Sequence, residues 1–181
     1  MRITSGKVRN RKLDVPEEGV RPLTDRIKTS LFDLIKPYLE KASVLDLFAG
    51  SGGFGIEALS RGADKATFVD SSEESVTAIA ANLEHTGLKE AATIINSDVL
   101  SFLEAEKEQF NIIFLDAPFP MPAQEKEHSL RLAAKSLLPE GVLIFRYPSQ
   151  EQKSYREVIP AGTEKVYEKR YGKSIIAFFR S

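Results

Sequence analysis

The chain has 181 residues, of which 42% are hydrophobic and 28% charged, and its formal net charge is −1. This length suits one hydrophobic core, and the composition excludes an intrinsically disordered or fibrous chain. No apolar run is long enough to cross a bilayer and the first residues lack the apolar centre of a signal peptide, so we expect a cytoplasmic protein without a membrane segment. With no cysteine and two histidines, disulfides are excluded and we expect no metal site.

The charge is unevenly distributed along the chain. Residues 1–13 contain no acid, and their cations, together with one that follows, are Arg2, Lys7, Arg9, Arg11, Lys12 and Arg21. One interpretation is a solvated, partly disordered tail, and the other is an arm that contacts nucleic-acid phosphates. We treat residues 1–181 as a single domain in which residues 1–20 form a basic N-terminal extension.

The predicted elements begin with a helix, because apolar residues recur at helical spacing from 27 to 38 and Thr24 can cap the N-terminus. Five short apolar runs then alternate with amphipathic segments, which is typical of a parallel sheet covered by helices. The predicted strands are 43–49, 65–70, 92–96, 111–116 and 141–147, and helical stripes cover 76–83 and 130–138. Two further strands, 165–171 and 174–179, flank a tight turn and predict an antiparallel hairpin. The predicted fold is therefore α/β, a doubly wound, mainly parallel sheet that ends in a hairpin.

A glycine-rich segment follows the first predicted strand. Gly50, Gly52 and Gly55 satisfy the pattern G-x-G-x-x-G, which allows a sharp turn and close approach of a ligand to free N–H groups. The spacing alone fits a pyrophosphate or an amino acid carboxylate. Asp46 favours the second, because a dinucleotide site usually keeps apolar packing there, whereas a carboxylate suits a ligand with an ammonium group, such as S-adenosylmethionine.

Two further aspartates end strands of the predicted sheet. Asp70 ends the second strand, where a carboxylate can accept hydrogen bonds from both ribose hydroxyls of an adenosine. Asp98 follows the third strand, placed to accept from an adenine amino group while the next backbone N–H serves a ring nitrogen. The alternative interpretation of both residues is a helix N-cap.

The segment Asp116-Ala117-Pro118-Phe119 ends the fourth predicted strand. The Asp116 carboxylate and a backbone carbonyl of Ala117 or Pro118 could each accept one N–H of an exocyclic amine and aim its lone pair at a methyl donor. Phe119 could stack on the base, which must leave its helix or loop. The alternative is an ordinary turn with an apolar anchor.

Taken together, these motifs resemble the RsmD-type methyltransferases, which modify guanine N2 in bacterial small-subunit ribosomal RNA. The resemblance covers nearly the whole chain, with matching stretches at 2–9, 11–13, 21–26, 31–32, 46–63 and 171–174. It implies a Rossmann-like class I methyltransferase fold with a seven-stranded sheet, S-adenosylmethionine as cofactor, and ribosomal RNA as substrate, either free or within a small-subunit assembly particle.

The resemblance also implies roles for individual residues. The cofactor-binding residues would be Asp46, Phe48, Ala49, Gly50, Ser51, Gly52, Asp70, Ser71, Asp98 and Val99. The catalytic residues would be Asp116, Ala117, Pro118 and Phe119, and the six N-terminal cations would bind RNA.

Two positions depart from the family pattern. The family usually has proline where this chain has Ala117, so the carbonyl is kept but the fixed φ of proline is lost. The loss of this proline leaves three consequences open: slower catalysis, a different target base or a degenerate site. The segment from Phe145 to Pro148 also departs, because the family often has an acid after that strand.

Three rival functions remain at this point. An adenine N6 methyltransferase would use the same amine-binding loop, but no separate DNA-reading module is evident. A non-catalytic RNA-binding or assembly protein would explain Ala117 and the basic N-terminus. An NAD-dependent oxidoreductase has no evident use for Asp46 or for the Asp116 segment.

Overall fold

The computed structural model describes residues 1–16 and 24–181, in which seven strands form one sheet. The strands are β1 (Ser43–Leu47), β2 (Lys65–Asp70), β3 (Ala92–Asn96), β4 (Phe110–Leu115), β5 (Leu137–Pro148), β6 (Glu164–Tyr171) and β7 (Ser174–Arg180). Their order is β3-β2-β1-β4-β5-β7-β6, with β1 to β5 parallel to one another and β7 antiparallel to both β5 and β6. The predicted doubly wound sheet and its C-terminal hairpin are confirmed.

Six α-helices connect or precede the strands in the described ranges. They are α1 (Asp25–Leu34), α2 (Gly53–Ser60), α3 (Glu73–Thr86), α4 (Val99–Ala105), α5 (Ala123–Lys135) and the single turn α6 (Gln152–Tyr155). Thr24 caps α1 as predicted, because its hydroxyl accepts a hydrogen bond from the Ile27 N–H. None of these helices is long and apolar enough to cross a membrane.

Two predicted helix ends are wrong. The stripe expected to run to residue 38 ends in α1 at Leu34, and its last residues form a 3₁₀ turn around Pro37. Leu137 and Leu138 were expected to continue the α5 stripe but begin β5 instead. Proline explains both, since it lacks an N–H and disfavours helical geometry in the residue before it, and Pro139 follows Leu138 directly.

The sheet is covered on both faces by helices, so its central strands are apolar on both sides. Residues 44, 112, 114 and 144 belong to the cluster that includes side chains of α1, α2 and α3. Residues 45, 113, 115 and 143 belong to the cluster formed with α4 and α5. Side chains alternate along a strand, so Asp46, Asp116 and Arg146 continue the even-numbered rows and lie on the side of α1 to α3.

Candidate active site at the carboxyl ends of the strands

The carboxyl ends of the parallel strands meet at one edge of the sheet. Leu47 is paired with Val69 on one side and with Leu115 on the other. The N–H of Asp116, the residue after β4, donates to the Leu47 carbonyl at 3.5 Å. β1 lies where the strand order reverses, and open α/β sheets bind their ligands in the crevice at that point.

The loop after β1 uses backbone conformations that most residues avoid. Phe48 has φ 56° and Gly52, the N-cap of α2, has φ 75°. Glycine is therefore suited to position 52. At Gly55 the requirement is space, because a Cβ there would lie 2.3 Å from a ring carbon of Phe68. The glycine-rich segment thus connects the end of β1 at Leu47 to the start of α2 at Gly53 by a short turn and lets α2 pack closely on β2.

Asp46 is almost completely buried, with 1% of its surface exposed. Its Oδ2 accepts a hydrogen bond from the Gly55 N–H at 2.8 Å, whereas Oδ1 has no hydrogen-bond partner among the described residues. Burial raises the pKa of this carboxyl well above its ordinary value; the Gly55 N–H opposes the rise, and the charges of Asp116 and Asp70 add to it. A cationic ligand in the crevice would offset this accumulation of negative charge.

Asp70 joins the loops that follow β1 and β2. Its Oδ2 accepts from the Gly50 N–H at 2.8 Å and its Oδ1 from the Ser72 N–H at 2.9 Å. Each carboxylate oxygen can accept a second hydrogen bond, so this half-buried side chain keeps capacity for a ligand. The helix-cap alternative for Asp70 is wrong, because Ser72 caps α3 by accepting from Ser75. Ser71 lies between them and is exposed.

Asp98 is exposed beyond β3 and caps α4, so the cap alternative is confirmed for this residue. Its Oδ1 accepts from both the N–H and the hydroxyl of Ser101, at 2.9 and 3.0 Å. No hydrogen bond from a described residue reaches Oδ2. Val99 is the first residue of α4, and its N–H has no acceptor within the helix. The Val99 N–H as donor and Asp98 Oδ2 as acceptor therefore remain available to a planar polar ligand at the start of α4.

Asp116 directly follows the carboxyl end of β4, and 17% of its side chain is exposed. Its Oδ1 accepts a hydrogen bond from Arg146 Nε at 2.5 Å, and Oδ2 has no hydrogen bond to the described residues. Burial raises the pKa of Asp116, and the positive charge of Arg146 opposes that rise only in part. Ala117 is fully buried, whereas Pro118 is exposed. One carboxylate oxygen is thus fixed and the other remains available.

Two cations that the sequence analysis did not identify brace the segment 116–119. The Arg146 guanidinium carbon lies 5.3 Å from the centre of the Phe119 ring. Lys126 is fully buried, and its Nζ donates to the Phe119 carbonyl at 2.9 Å and to Glu151 at 2.8 Å. The sequence could have indicated a role for Arg146, because a single charged residue inside a strand buried on both faces requires a partner. It gave no such indication for Lys126, which is one of several charged residues in α5.

The basic N-terminus is folded onto the domain in residues 1–16, which we name the N-terminal loop. Arg2 and Lys12 form an antiparallel bridge, and the Ile3 N–H donates to the Arg11 carbonyl at 2.9 Å. Ile3 and Leu13 are buried in the core. A disordered tail does not describe residues 1–16, because their apolar residues anchor a compact loop. Contact of its cations with phosphates stays a prediction.

A buried carboxylate fastens the N-terminal loop to α2. Glu57, which is fully buried, accepts from the Thr4 N–H at 2.9 Å, the Thr4 hydroxyl at 2.7 Å and the Ser5 N–H at 3.1 Å. It also pairs with Lys28 at 3.1 Å and with Arg61 at 2.8 Å. Burial acts to raise the pKa of Glu57, but Lys28 and the hydrogen bonds from Thr4 and Arg61 outweigh it and lower the pKa.

Asn82 of α3 links the N-terminal loop with the glycine-rich loop. Its buried amide nitrogen donates to the Ser51 carbonyl at 3.0 Å and to the Asp14 carbonyl at 2.9 Å. Its amide oxygen accepts from the Asp14 N–H at 2.8 Å. The backbone after β1 is therefore tied directly to the basic loop.

The basic residues of the N-terminal loop are mostly presented to solvent. Lys7, Arg9, Arg11 and Lys12 are exposed, and none of the four forms an ion pair with a residue in the described ranges. Arg2 differs, because it pairs with Asp25 at 2.6 Å. Arg21 lies outside the described residues.

Comparison with known proteins identifies the family. A family model described as "Conserved hypothetical protein 95" matches residues 1–180. Ribosomal RNA small subunit methyltransferase D of Haemophilus influenzae is 40% identical over 149 residues, covering 80% of this chain and 77% of the relative. The protein of the same name from Escherichia coli K12 is 39% identical over 147 residues, covering 80% and 73%.

The similarity extends to the fold of a solved structure. The Escherichia coli protein yhhF superposes with a TM-score of 0.84 at 33% sequence identity, covering 99% of this chain and 97% of that chain. The family model, the curated relatives and the fold agree over nearly the whole length. This chain therefore belongs to the Conserved hypothetical protein 95 family, together with the ribosomal RNA small subunit methyltransferase D proteins.

Proposed function

We propose that this protein transfers a methyl group from S-adenosylmethionine to the exocyclic N2 amine of a guanine in small-subunit ribosomal RNA. The observation that carries the proposal is the free Oδ2 of Asp116, held at the carboxyl end of β4 beside the glycine-rich loop. Membership of a family that includes rRNA methyltransferases supports the substrate class. In this proposal residues 1–181 act as one methyltransferase domain.

The residues along the crevice suit the proposed cofactor. S-adenosylmethionine supplies an electrophilic methyl group on a positively charged sulfonium and also carries an ammonium group. Such a ligand would neutralise the negative charge of Asp46, Asp70 and Asp116. It would also give Asp46 Oδ1 the hydrogen-bond partner that this atom lacks among the described residues. Asp46 also positions the loop itself through Gly55.

The remaining cofactor contacts follow from the ends of β1, β2 and β3. The turn of Phe48, Ala49, Gly50, Ser51 and Gly52 would border the methionine part, which suits a helix start with its free N–H groups. The spare acceptor capacity of Asp70, with Ser71 beside it, would receive the ribose hydroxyls. Asp98 Oδ2 and the Val99 N–H would hold the adenine edge.

The target amine would be oriented by the segment after β4. The lone pair of guanine N2 is delocalised into the ring, so the nitrogen must be held close to the donor and in line with it. Asp116 Oδ2 accepts one N–H and the carbonyl of Ala117 or Pro118 accepts the other. Methylation of the nitrogen would release one proton from the amine, and Asp116, whose pKa burial raises, would accept it. Phe119 stacks on the base.

The N-terminal loop and residues 17–20 would contact the RNA backbone. The four exposed cations lie on one anchored loop. Phosphates could therefore bind to them without the loop first having to become ordered. Arg2 contributes less, because Asp25 already neutralises it. We extend the proposal to small-subunit assembly particles in the cytoplasm, where the N-terminal loop would meet folded RNA.

Replacing Arg9, Arg11 and Lys12 by alanine should weaken RNA binding and flatten its salt dependence. Each phosphate contact that is lost lowers the slope of log K against log salt by about one. Fluorescence anisotropy with a small-subunit RNA fragment, repeated from low to high salt, measures this slope. Replacing Lys107, Lys135 and Lys153, which are exposed elsewhere on the surface, provides a charge-matched control. An unchanged slope in the loop variant would show that its cations do not contact phosphates.

The proposed activity is tested with labelled S-adenosylmethionine, naked small-subunit RNA and partly assembled particles from cells that lack this protein. Nucleoside analysis should recover labelled N2-methylguanosine. Label in N6-methyladenosine would move the target to adenine. Cofactor binding without label in any RNA would refute the enzymatic proposal and favour a non-catalytic assembly protein.

A further inference from the structure

We infer that Arg146 is a positioning residue of this site: it fixes Asp116 through Oδ1, so that Oδ2 alone meets the target amine, and it holds Phe119 at the base-binding face. This inference rests on the proposed function. It assigns a role to the end of β5, where the segment 145–148 departs from the family pattern.

The topology brings Arg146 to this position. β4 and β5 are parallel neighbours, and Leu115 is paired with Phe145. Asp116 and Arg146, which directly follow this pair, therefore lie next to each other. Both side chains continue the even-numbered rows and emerge on the same face. Arg146 is only 5% exposed, and its Nε lies 2.5 Å from Asp116 Oδ1. Among residues 1–16 and 24–181, Asp116 is the carboxylate that pairs with this deeply buried charge.

A single guanidinium contacts both ends of the amine-binding segment. It bonds to Asp116 through Nε, and its central carbon lies 5.3 Å from the ring of Phe119, three residues later. The planar group can do both because its donors form a rigid fork and its face can stack on an aromatic ring. Position 117 is alanine, so its φ is not fixed by a ring. Arg146 therefore restores, from the neighbouring strand, rigidity that the segment itself lacks.

The charge of Arg146 also keeps the acceptor in its working form. Burial favours a neutral Asp116, and the negative charges of Asp116 and Asp46 on β1 repel each other. Arg146 on β5 is the opposing positive charge. A protonated Asp116 would present a hydroxyl donor and lose part of its capacity to accept the amine N–H.

Two variants separate charge from geometry. Arg146→Met keeps an unbranched apolar chain without charge, and Arg146→Lys keeps the charge without the planar fork. Arg131→Met is the matched control, because it removes an exposed ion pair to Glu127 on α5. For each variant, kcat and KM for RNA and the pH dependence of kcat/KM are measured, with thermal unfolding and S-adenosylmethionine binding as checks on folding.

We expect Arg146→Met to lower kcat at neutral pH by about tenfold to a hundredfold, as misplacement of a reacting group does. The acidic limb of its kcat/KM profile should move to higher pH. Arg146→Lys should keep that limb close to its original place while kcat falls, and Arg131→Met should change neither. Folded Arg146→Met protein with unchanged kcat and an unchanged acidic limb would overturn the inference. Equal losses of kcat in Arg146→Met and Arg146→Lys, with the acidic limb of kcat/KM unmoved in both, would also overturn the inference. That pattern would indicate that Arg146 only supports the folded structure.

A direct titration separates failure of this inference from failure of the proposed function. Carbon NMR of labelled aspartate carboxyls, with the Asp116 signal assigned through Asp116→Asn, needs neither RNA nor turnover. Arg146→Met should raise the pKa of Asp116, and an unchanged pKa overturns the inference even if the wild-type protein methylates RNA. If no RNA is methylated but the pKa rises, the proposed function has failed and the pairing of the two residues has not.

Discussion

Asp116→Ala is expected to lower kcat for methyl transfer by about 10²- to 10³-fold, the usual effect of losing a group that orients or deprotonates the reacting atom. In the proposed function, Oδ2 of Asp116 is the acceptor that would hold the amine lone pair in line with the methyl group. Binding of S-adenosylmethionine should remain, because the other carboxylates of the crevice and the glycine-rich loop are unchanged. Single-turnover methylation and calorimetric binding measure the two effects separately.

The folding of this variant needs its own control, because Asp116→Ala leaves the buried Arg146 without its carboxylate. The double variant Asp116→Ala with Arg146→Met removes both charges and should recover thermal stability but not turnover. Asp116→Asn keeps one oxygen acceptor for Arg146 Nε, so its NH₂ group would face the target amine and turnover should also be lost. Asp64→Ala, at an exposed aspartate before β2, should behave as the wild type. Turnover of the folded Asp116→Ala protein near the wild-type rate would exclude the orienting role.

Much of the fold was predictable because local pattern and global packing agree. The predicted bounds of β2 and β3 match the structure residue for residue, since each strand is a short run rich in apolar residues that ends at a polar residue. The hairpin β6-β7 was predictable from its tight turn at Gly172, whose φ is 61°. The two errors in helix ends fell at Pro37 and Pro139, where the apolar spacing of a helix continues but the helical backbone does not. The strands predicted at 43–49 and 111–116 were placed to within two residues of β1 and β4.

The candidate site was predictable only where its residues follow strand ends. The sheet aligns such positions automatically, so Asp70 and Asp116 come to one edge without any further information. Arg146 is 30 residues from its partner in the chain. Its pairing depends on β5 lying beside β4, which spacing along the sequence does not encode. Lys126, whose bond to the Phe119 carbonyl depends on the path of a loop, was hidden for the same reason.

The charge of the N-terminal loop was not enough to predict that the loop is folded onto the domain. Its five cations suggested a solvated tail or an arm, whereas Ile3 and Leu13, the buried residues that anchor it, are single apolar residues without a periodic pattern. The carboxylate that holds the loop, Glu57, is 53 residues away from Thr4. The stability of the proposed RNA-binding surface therefore depends on Glu57, a buried residue of α2.

Glu57→Gln is expected to lower the free energy of unfolding by about 3–5 kcal/mol, the usual loss when one partner of a buried ion pair is removed. The amide still offers one acceptor to Thr4, but its NH₂ group faces the donors of Lys28 or Arg61, and Lys28 is itself only 1% exposed. Urea unfolding measures the loss. Glu127→Gln, which breaks the more exposed pair with Arg131, should cost no more than about 1 kcal/mol.

The pH dependence gives the same prediction a second test. The pKa of Glu57 is lowered in the folded protein, so its contribution to stability is fully present above the pKa of the unfolded chain and is lost as the pH falls through the folded pKa. The stability difference between wild type and Glu57→Gln should therefore shrink in acid. A difference that stays constant down to the acid limit would show that packing, and not the ionised carboxylate, holds the loop. Because the exposed cations of that loop are the proposed phosphate contacts, the variant should also lose RNA affinity before it loses S-adenosylmethionine binding.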